Sequence, residues 1–210
     1  MEESKLDIIS PFGPSIAKVK IPEKIIKTLN DHVDEIRNNE KLSKKFDAGK
    51  TLIGNVSQEI NLSSEIIKES GWLLFLANAT KAWIKNVIGT EIKKFNINSS
   101  WVVNQFSNQY NPVHWHSGHI SGAGFLKVPS TFGETFQKDK KNLNGKLSLI
   151  HGQRAFMSDA QYKITPKVGD FYIFPHYLMH TVYPFKDTDE ERRSISFNAN
   201  VDEKTFDVHV

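Results

Sequence analysis

From Glu91 onward the sequence consists of short β-forming runs with no helical pattern between them. The predicted strands cover 92–97, 100–106, 113–116, 120–127, 146–151, 161–165, 170–175, 180–184 and 193–201. Turn chemistry separates them, as at Asn144-Gly145 and Gly169. Consecutive strands without crossover helices favour an antiparallel sandwich or barrel, and a jelly roll has about eight strands in two sheets. The sequence therefore predicts a mainly β fold of the jelly-roll type.

The first 90 residues carry helical patterns, so the predicted fold has N-terminal helices over the outer face of one sheet. An extended segment, Ile8 to Val19, precedes Pro22, which opens a helix with a regular apolar face. A second helical region covers 64–88, and Gly89 is its predicted terminator. We expect one domain, 1–210, with a helical support region over 1–90 and a jelly-roll catalytic core over 91–210.

Composition excludes several classes of protein and site. The chain has 210 residues and no cysteine, so it has no disulfide framework, thiolate zinc site, cysteine-ligated iron–sulfur cluster or cysteine nucleophile. Any metal must be bound mainly by His, Asp or Glu. The net charge is only +3, so no nucleic-acid partner is indicated. The acidic N-terminus lacks the layout of a secretory signal, and no apolar run approaches the ~18 residues of a membrane span. We expect a cytoplasmic protein without a membrane partner.

Three of the eight histidines lie within NPVHWHSGHISGAGFLKVP, at positions 114, 116 and 119. Residues two apart in a strand point to the same side. His114 and His116 can therefore present two imidazoles to one metal, with Trp115 facing away into the core. Hydrogen-bonding histidines on a polar loop are the alternative. His119 is expected to line the pocket or to support the ligands.

The C-terminal third contains a distant histidine and two adjacent arginines, in GDFYIFPHYLMH and RRSISFN. His180 begins a predicted strand. Side chains alternate between the two faces of a strand, so either Arg193 points inward or Arg192 and Ser194 do. The alternation alone does not decide between them. An inward arginine needs an anionic partner, and its planar fork suits a carboxylate. An internal ion pair with Asp or Glu, or two solvated arginines, would explain the residues equally well.

These three motifs, in this order, resemble the iron(II)- and 2-oxoglutarate-dependent oxygenases, in particular a bacterial and phage subgroup related to prolyl hydroxylases. The resemblance covers about 101–200. It implies a double-stranded β-helix with Fe(II) and 2-oxoglutarate as cofactors, and it allows ascorbate as a further one. It also implies that Arg192 and Ser194 bind the far carboxylate of 2-oxoglutarate, with Arg193 in reserve. The implied metal ligands are His114, His116 and His180.

The sequence departs from the family pattern at the third ligand, where His116 stands in place of Asp or Glu. Either three neutral imidazoles bind the metal, or His116 supports a site that a carboxylate such as Asp159, or a water, completes. Just upstream, Asn104, Gln105 and Tyr110 are candidates to bind cosubstrate or substrate, and a surface position is equally compatible with their sequence context.

The implied activity is a dioxygenase that hydroxylates a C–H bond of an unidentified small molecule or peptide and releases succinate and CO2. Two other readings stay open, a cupin-like three-histidine metalloenzyme that does not use 2-oxoglutarate and a non-catalytic jelly-roll binding protein. The loops 129–145 and 152–160 and the N-terminal segment are expected to select the substrate. The oligomeric state is left open.

Overall fold

The computed structural model describes residues 7–9, 13–137 and 139–206, so residues 10–12 of the predicted extended segment lie outside the described part. Strands within it are β1 (Asp7–Ile9), β2 (Ile16–Lys20), β3 (Gln58–Asn61), β4 (Phe95–Gln105), β5 (Asn111–His114), β6 (Ile120–Lys127), β7 (Leu147–Ile150), β8 (Gln161–Ile164), β9 (Asp170–Pro175), β10 (Met179–Val182) and β11 (Arg192–Val201). Helices are α1 (Glu23–Arg37), α2 (Glu40–Lys45), α3 (Ser64–Glu69), α4 (Trp72–Ile88) and α5 (Glu203–Phe206).

Two antiparallel sheets lie face to face. The larger has the order β1-β2-β9-β6-β11-β4-β3, and the smaller has the order β5-β10-β7-β8. Their inner faces share a buried apolar cluster to which Phe125 and Phe174 of the large sheet and Leu149 of the small sheet belong. This arrangement confirms the predicted jelly roll.

The helices pack against the outer face of the large sheet, as predicted. The apolar stripe of α1 is buried together with Trp72 of α4 and with Phe171 and Phe197 of the sheet. The rings of Trp72 and Phe171 meet edge to face at 5.1 Å between centroids. Residues alternate along β11, so the strand presents Ile195 to this helical layer and the residues beside it to the space between the sheets.

Three strands come from the first 90 residues and belong to the large sheet. β2 pairs with β9, β1 pairs with β2, and β3 pairs with β4. The N-terminal region therefore contributes sheet edges as well as helices. The predicted helical region 64–88 is divided, because Gly71 takes a left-handed conformation (φ 82°) between α3 and α4. Gly89 ends α4 as predicted, also with positive φ.

Two glycines in β6 leave space for atoms of the neighbouring strands β9 and β11. A Cβ placed on Gly124 would lie 2.7 Å from the carbonyl oxygen of Asp170, and one on Gly122 would lie 2.6 Å from the Phe197 ring. A side chain at either position would overlap these atoms. The glycines of the SGAG run are therefore explained by close packing in the sheet.

Candidate metal centre

Three imidazoles meet at the edge where β5 and β10 pair. His114 and His180 are directly opposite each other in the ladder, and their ring centroids are 4.2 Å apart. His116 lies two residues beyond the end of β5, and the Trp101 ring contacts it edge to face at 5.3 Å. The Nε2 atoms of His116 and His180 are 3.1 Å apart. One ring nitrogen of each histidine lies within 4.8 Å of the others, so the three could hold one metal ion.

Backbone carbonyls orient two of the rings. The Nδ1 of His114 lies 2.8 Å from the carbonyl oxygen of Pro112, and the Nδ1 of His180 lies 3.0 Å from that of Leu178. A carbonyl oxygen only accepts, so each Nδ1 carries the proton and donates it. The lone pair is then on Nε2, the atom that is available to a metal.

Burial favours the neutral form of all three rings. It lowers the pKa of His114, and it lowers the pKa of His116 to about 4 and that of His180 to about 3. The neighbouring histidines add to the effect at His116 and His180, because like charges repel. Near neutral pH the cluster therefore offers lone pairs without first having to lose protons.

The spacing of the nitrogens suits a transition metal. Two nitrogens at right angles around an ion, each about 2.1 Å from it, would be about 3 Å apart, which matches the His116–His180 separation. No Asp or Glu of the described residues joins the group. Asp159 is exposed, and Asp170 forms ion pairs with Lys18 and Lys20. The arrangement in the structure is thus three imidazoles, and their role as ligands stays a prediction.

Arg192 is buried in the space between the sheets, 1% exposed. Its Nη1 donates to Oε1 of Gln105 at 3.0 Å and to Oγ of Ser194 at 3.4 Å, and its guanidinium lies over the Phe125 ring at 5.0 Å. Its Nε has no hydrogen-bond partner. Burial lowers the pKa of Arg192 to about 9, so the group stays cationic at neutral pH. No carboxylate of the described residues pairs with it.

Arg193, equally buried, points the opposite way. Its guanidinium binds Glu191 and reaches α1, where it contacts Asp34 and Asn30. Arg193 is therefore the internal ion pair that the sequence left as an alternative, and it lies away from the pocket. The two adjacent arginines thus differ in their partners. Arg193 forms ion pairs with acids, whereas Arg192 has no acidic partner among the described residues.

The structure places Asn104 away from Arg192, and its predicted role in binding stays a prediction. In the β4–β11 ladder Asn104 is opposite Arg193, whereas Gln105 is opposite Arg192. Directly opposed residues share a face of the sheet, so Asn104 faces the helical layer, where its buried amide has no hydrogen-bond partner. Gln105 contacts Arg192 instead.

The prediction that Trp115 is a core residue is wrong, because its indole is 66% exposed. The strand β5 ends at His114, so the alternation of a strand does not extend to Trp115. Tyr110 is 40% exposed, and its backbone pairs with Asn55. A role of Tyr110 in binding stays a prediction. His119 is not part of the histidine group, and its Nδ1 accepts a hydrogen bond from the backbone of Val201.

A cavity of about 160 Å³ opens beside His114 and His116. Trp101, Trp115 and Asn111 line it, together with residues 51–53 and Glu59. Residues 51–53 and Glu59 precede the predicted catalytic core, and sequence reasoning missed them. The only signal for Glu59 is its position in a short alternating run, QEIN, which burial in a sheet could have explained.

Comparison with known proteins agrees with this site. Residues 99–198 match the model of a family described as "Putative 2OG-Fe(II) oxygenase". A prolyl-4-hydroxylase from Pseudomonas putida is similar in fold, with a TM-score of 0.54, 14% identity and coverage of 87% of this chain and 91% of that one. The viral collagen prolyl hydroxylase of Paramecium Bursaria Chlorella virus-1, solved as a 2OG complex, is also similar in fold. Its TM-score is 0.50 and its identity 16%, with coverage of 88% of this chain and 94% of that one. No curated protein matches by sequence.

A third solved structure shows that the fold accommodates another reaction. The non-heme alpha ketoglutarate-dependent epimerase SnoN from nogalamycin biosynthesis has a TM-score of 0.55 and 12% identity, with coverage of 87% of this chain and 76% of that one. At such identities the likeness establishes the fold alone.

Residues 99–198 thus match a 2OG-Fe(II) oxygenase family over 100 of the 210 residues, and the fold and the histidine cluster are compatible with that match. The resemblance found in the sequence is thereby confirmed, and Fe(II) and 2-oxoglutarate are the cofactors that this family implies. Among the described residues, no helix has both the length and the apolar character needed to cross a membrane.

Proposed function

We propose that this protein is an Fe(II)- and 2-oxoglutarate-dependent dioxygenase that hydroxylates a C–H bond of its substrate. His114, His116 and His180 would hold the iron through Nε2. When bound, the iron and its cosubstrate supply the oxidation of the C–H bond by dioxygen, with release of succinate and CO2. The protein's contribution is to hold, orient and enclose these groups.

The buried guanidinium of Arg192 is the observation that carries this proposal. A buried cation without an anion is costly, and Arg192 has only neutral partners among the described residues. A dicarboxylic cosubstrate provides the missing anion, since a carboxylate accepts two parallel hydrogen bonds from a guanidinium. Arg193, by contrast, forms ion pairs with Asp34 and Glu191, as expected of an arginine with a structural role.

The residues around Arg192 would hold it ready for that carboxylate. Gln105 and Ser194 fix one end of the guanidinium and leave its Nε without a partner. The rings of Phe125 and Phe174 keep the surroundings apolar, and Phe174 lies 5.2 Å from the ring of His180. Because Arg192 is 1% exposed, a charge pair there would be screened less than one at the surface.

Calorimetry under anaerobic conditions tests the proposal. Protein loaded with Fe(II) is titrated with 2-oxoglutarate in three forms, wild type, Arg192→Met and Arg154→Met. Methionine keeps a long apolar side chain and removes the charge, and Arg154 is an exposed arginine that serves as the matched control. We expect wild type and Arg154→Met to bind alike. Arg192→Met should lose about 2–5 kcal/mol, which is at least about thirtyfold in affinity.

Two results would overturn the proposal. One is a wild-type protein that takes up iron and does not bind 2-oxoglutarate. The other is an Arg192→Met variant with wild-type affinity for 2-oxoglutarate. Oxygen consumption that is independent of 2-oxoglutarate would favour the three-histidine metalloenzyme, which has no general need of an inward arginine.

A further inference from the structure

A second buried charge lies in the cavity beside the histidines. Glu59 of β3 is 2% exposed and lines the cavity together with His114 and His116. It is opposite Val103 in the β3–β4 ladder, and Val103 is in turn opposite Ser194. Glu59 therefore lies on the same face of the large sheet as Ser194 and Arg192, facing the space between the sheets.

The carboxylate of Glu59 has no cationic partner. No Lys or Arg of the described residues forms an ion pair with it, and no side chain or backbone group in that part of the chain donates a hydrogen bond to it. Burial raises the pKa of Glu59 to about 7, and the negative charge of Asp47 adds to the effect. A buried carboxylate without a partner is costly, so a cation bound beside Glu59 would stabilise its charged form.

An unsatisfied acceptor belongs to another residue of the same cavity lining. Oδ1 of Asn111 is buried without a hydrogen-bond partner, and Asn111 also lines the cavity. Both side chains border the space next to Gly54. A Cβ at this position would lie 2.7 Å from Oε1 of Glu59 and 3.0 Å from Nδ2 of Asn111. The chain thus leaves room beside the Glu59 carboxylate, whose oxygen can accept a hydrogen bond from a ligand, whereas Asn111 presents its donor Nδ2 on this side.

Two indoles complete the lining. Trp101 is nearly buried and Trp115 is 66% exposed at the cavity mouth, and an ammonium group is attracted to the face of such a ring. The remaining lining residues, 51–53, are uncharged. The described lining contains no Lys or Arg side chain.

We infer that this cavity recognises the ammonium group of the substrate, with Glu59 as its specificity residue. The substrate class is an aliphatic primary amine, either free or as a lysine-like side chain, because a cavity of about 160 Å³ admits a slender chain. The inference rests on the proposed function, since the C–H bond to be oxidised belongs to the molecule that Glu59 holds.

A matched pair of probes tests the charge requirement. n-Pentylamine and 1-pentanol have nearly the same shape, and only the amine is cationic at neutral pH. Each is titrated calorimetrically into anaerobic protein loaded with Fe(II), first without and then with 2-oxoglutarate. We expect the wild type to bind the amine at least about tenfold more tightly than the alcohol. Glu59→Gln should reduce this ratio to about threefold or less, and Glu40→Gln, which changes an exposed acid, should not.

Gly54→Ala provides a second variant that leaves the carboxylate in place. Its methyl group would occupy the space beside Glu59, so we expect weaker amine binding with normal 2-oxoglutarate binding. The inference is overturned if the wild type does not distinguish the probes. It is also overturned if Glu59→Gln keeps the wild-type ratio and Gly54→Ala keeps the wild-type affinity for the amine, both variants being folded by their melting curves. Failure of the proposed function is recognised separately, because 2-oxoglutarate binding is measured in the same series.

Discussion

His116 stands where related sequences are expected to have a carboxylate, so its replacement by alanine tests the composition of the site. Its Nε2 lies 3.1 Å from that of His180, which is the spacing of two ligands on one ion. Loss of a residue that only orients a ligand typically weakens metal binding ten- to a hundredfold. Loss of one of three ligands should exceed this range. We therefore predict that His116→Ala weakens metal binding more than about a hundredfold, or about 2.7 kcal/mol.

Titration with Co(II), followed by its visible absorption, measures this affinity without exposure to iron chemistry. His151→Ala is the matched control, since His151 lies outside the histidine group. The control should bind Co(II) as the wild type does. A His116→Ala variant that binds Co(II) within about tenfold of the wild type would refute the reasoning, and His116 would then be a supporting residue around a two-histidine site.

Three further predictions concern stability. Gly124→Ala should lower the free energy of unfolding by about 3 kcal/mol or prevent folding, because its Cβ would lie 2.7 Å from a backbone oxygen. Gly89→Ala has open space around it and should cost only about 1–2 kcal/mol, for its positive φ. Urea titration separates the two, and equal midpoints would contradict the packing argument. Arg193→Met should cost about 2–3 kcal/mol by removing charged hydrogen bonds, and a larger loss in Arg192→Met would be contrary to the roles assigned here. The metal-free protein should lose stability as the pH falls from about 6.5 towards 4. Burial lowers the pKa of His116 to about 4 in the folded chain, whereas the unfolded chain keeps the ordinary value of about 6.5. Between these values the unfolded chain binds the proton more readily, which favours unfolding. His116→Ala should flatten this slope, and an unchanged slope would contradict the assignment.

The sequence predicted the core of the jelly roll well because its strands are short alternating runs with clear turn residues between them. Observed strands such as 120–127 and 170–175 coincide with the predicted ones. The convergence of His114, His116 and His180 was likewise anticipated, and the three are close together in the structure. The resemblance to a family contributed most here, since no local pattern shows that positions 64 residues apart will meet.

Sequence reasoning was least informative where local patterns do not determine direction. Asn104 and Gln105 are adjacent, and only the register with β11 shows that the glutamine is the one that faces Arg192. Trp115 was assigned to the core on the assumption that the strand continues to His116, whereas it ends at His114. Glu59 was missed because an isolated acid before a helical region carries no signal of its own. Its environment is created by a strand that joins the sheet from outside the predicted core.

A crystal structure of the protein soaked anaerobically with Fe(II) and 2-oxoglutarate tests the central claim most directly. We expect one metal about 2.0–2.2 Å from the Nε2 atoms of His114, His116 and His180. We also expect that the far carboxylate of the diacid makes paired hydrogen bonds with Arg192. A metal bound without these histidines, or a diacid bound away from Arg192, would contradict the claim.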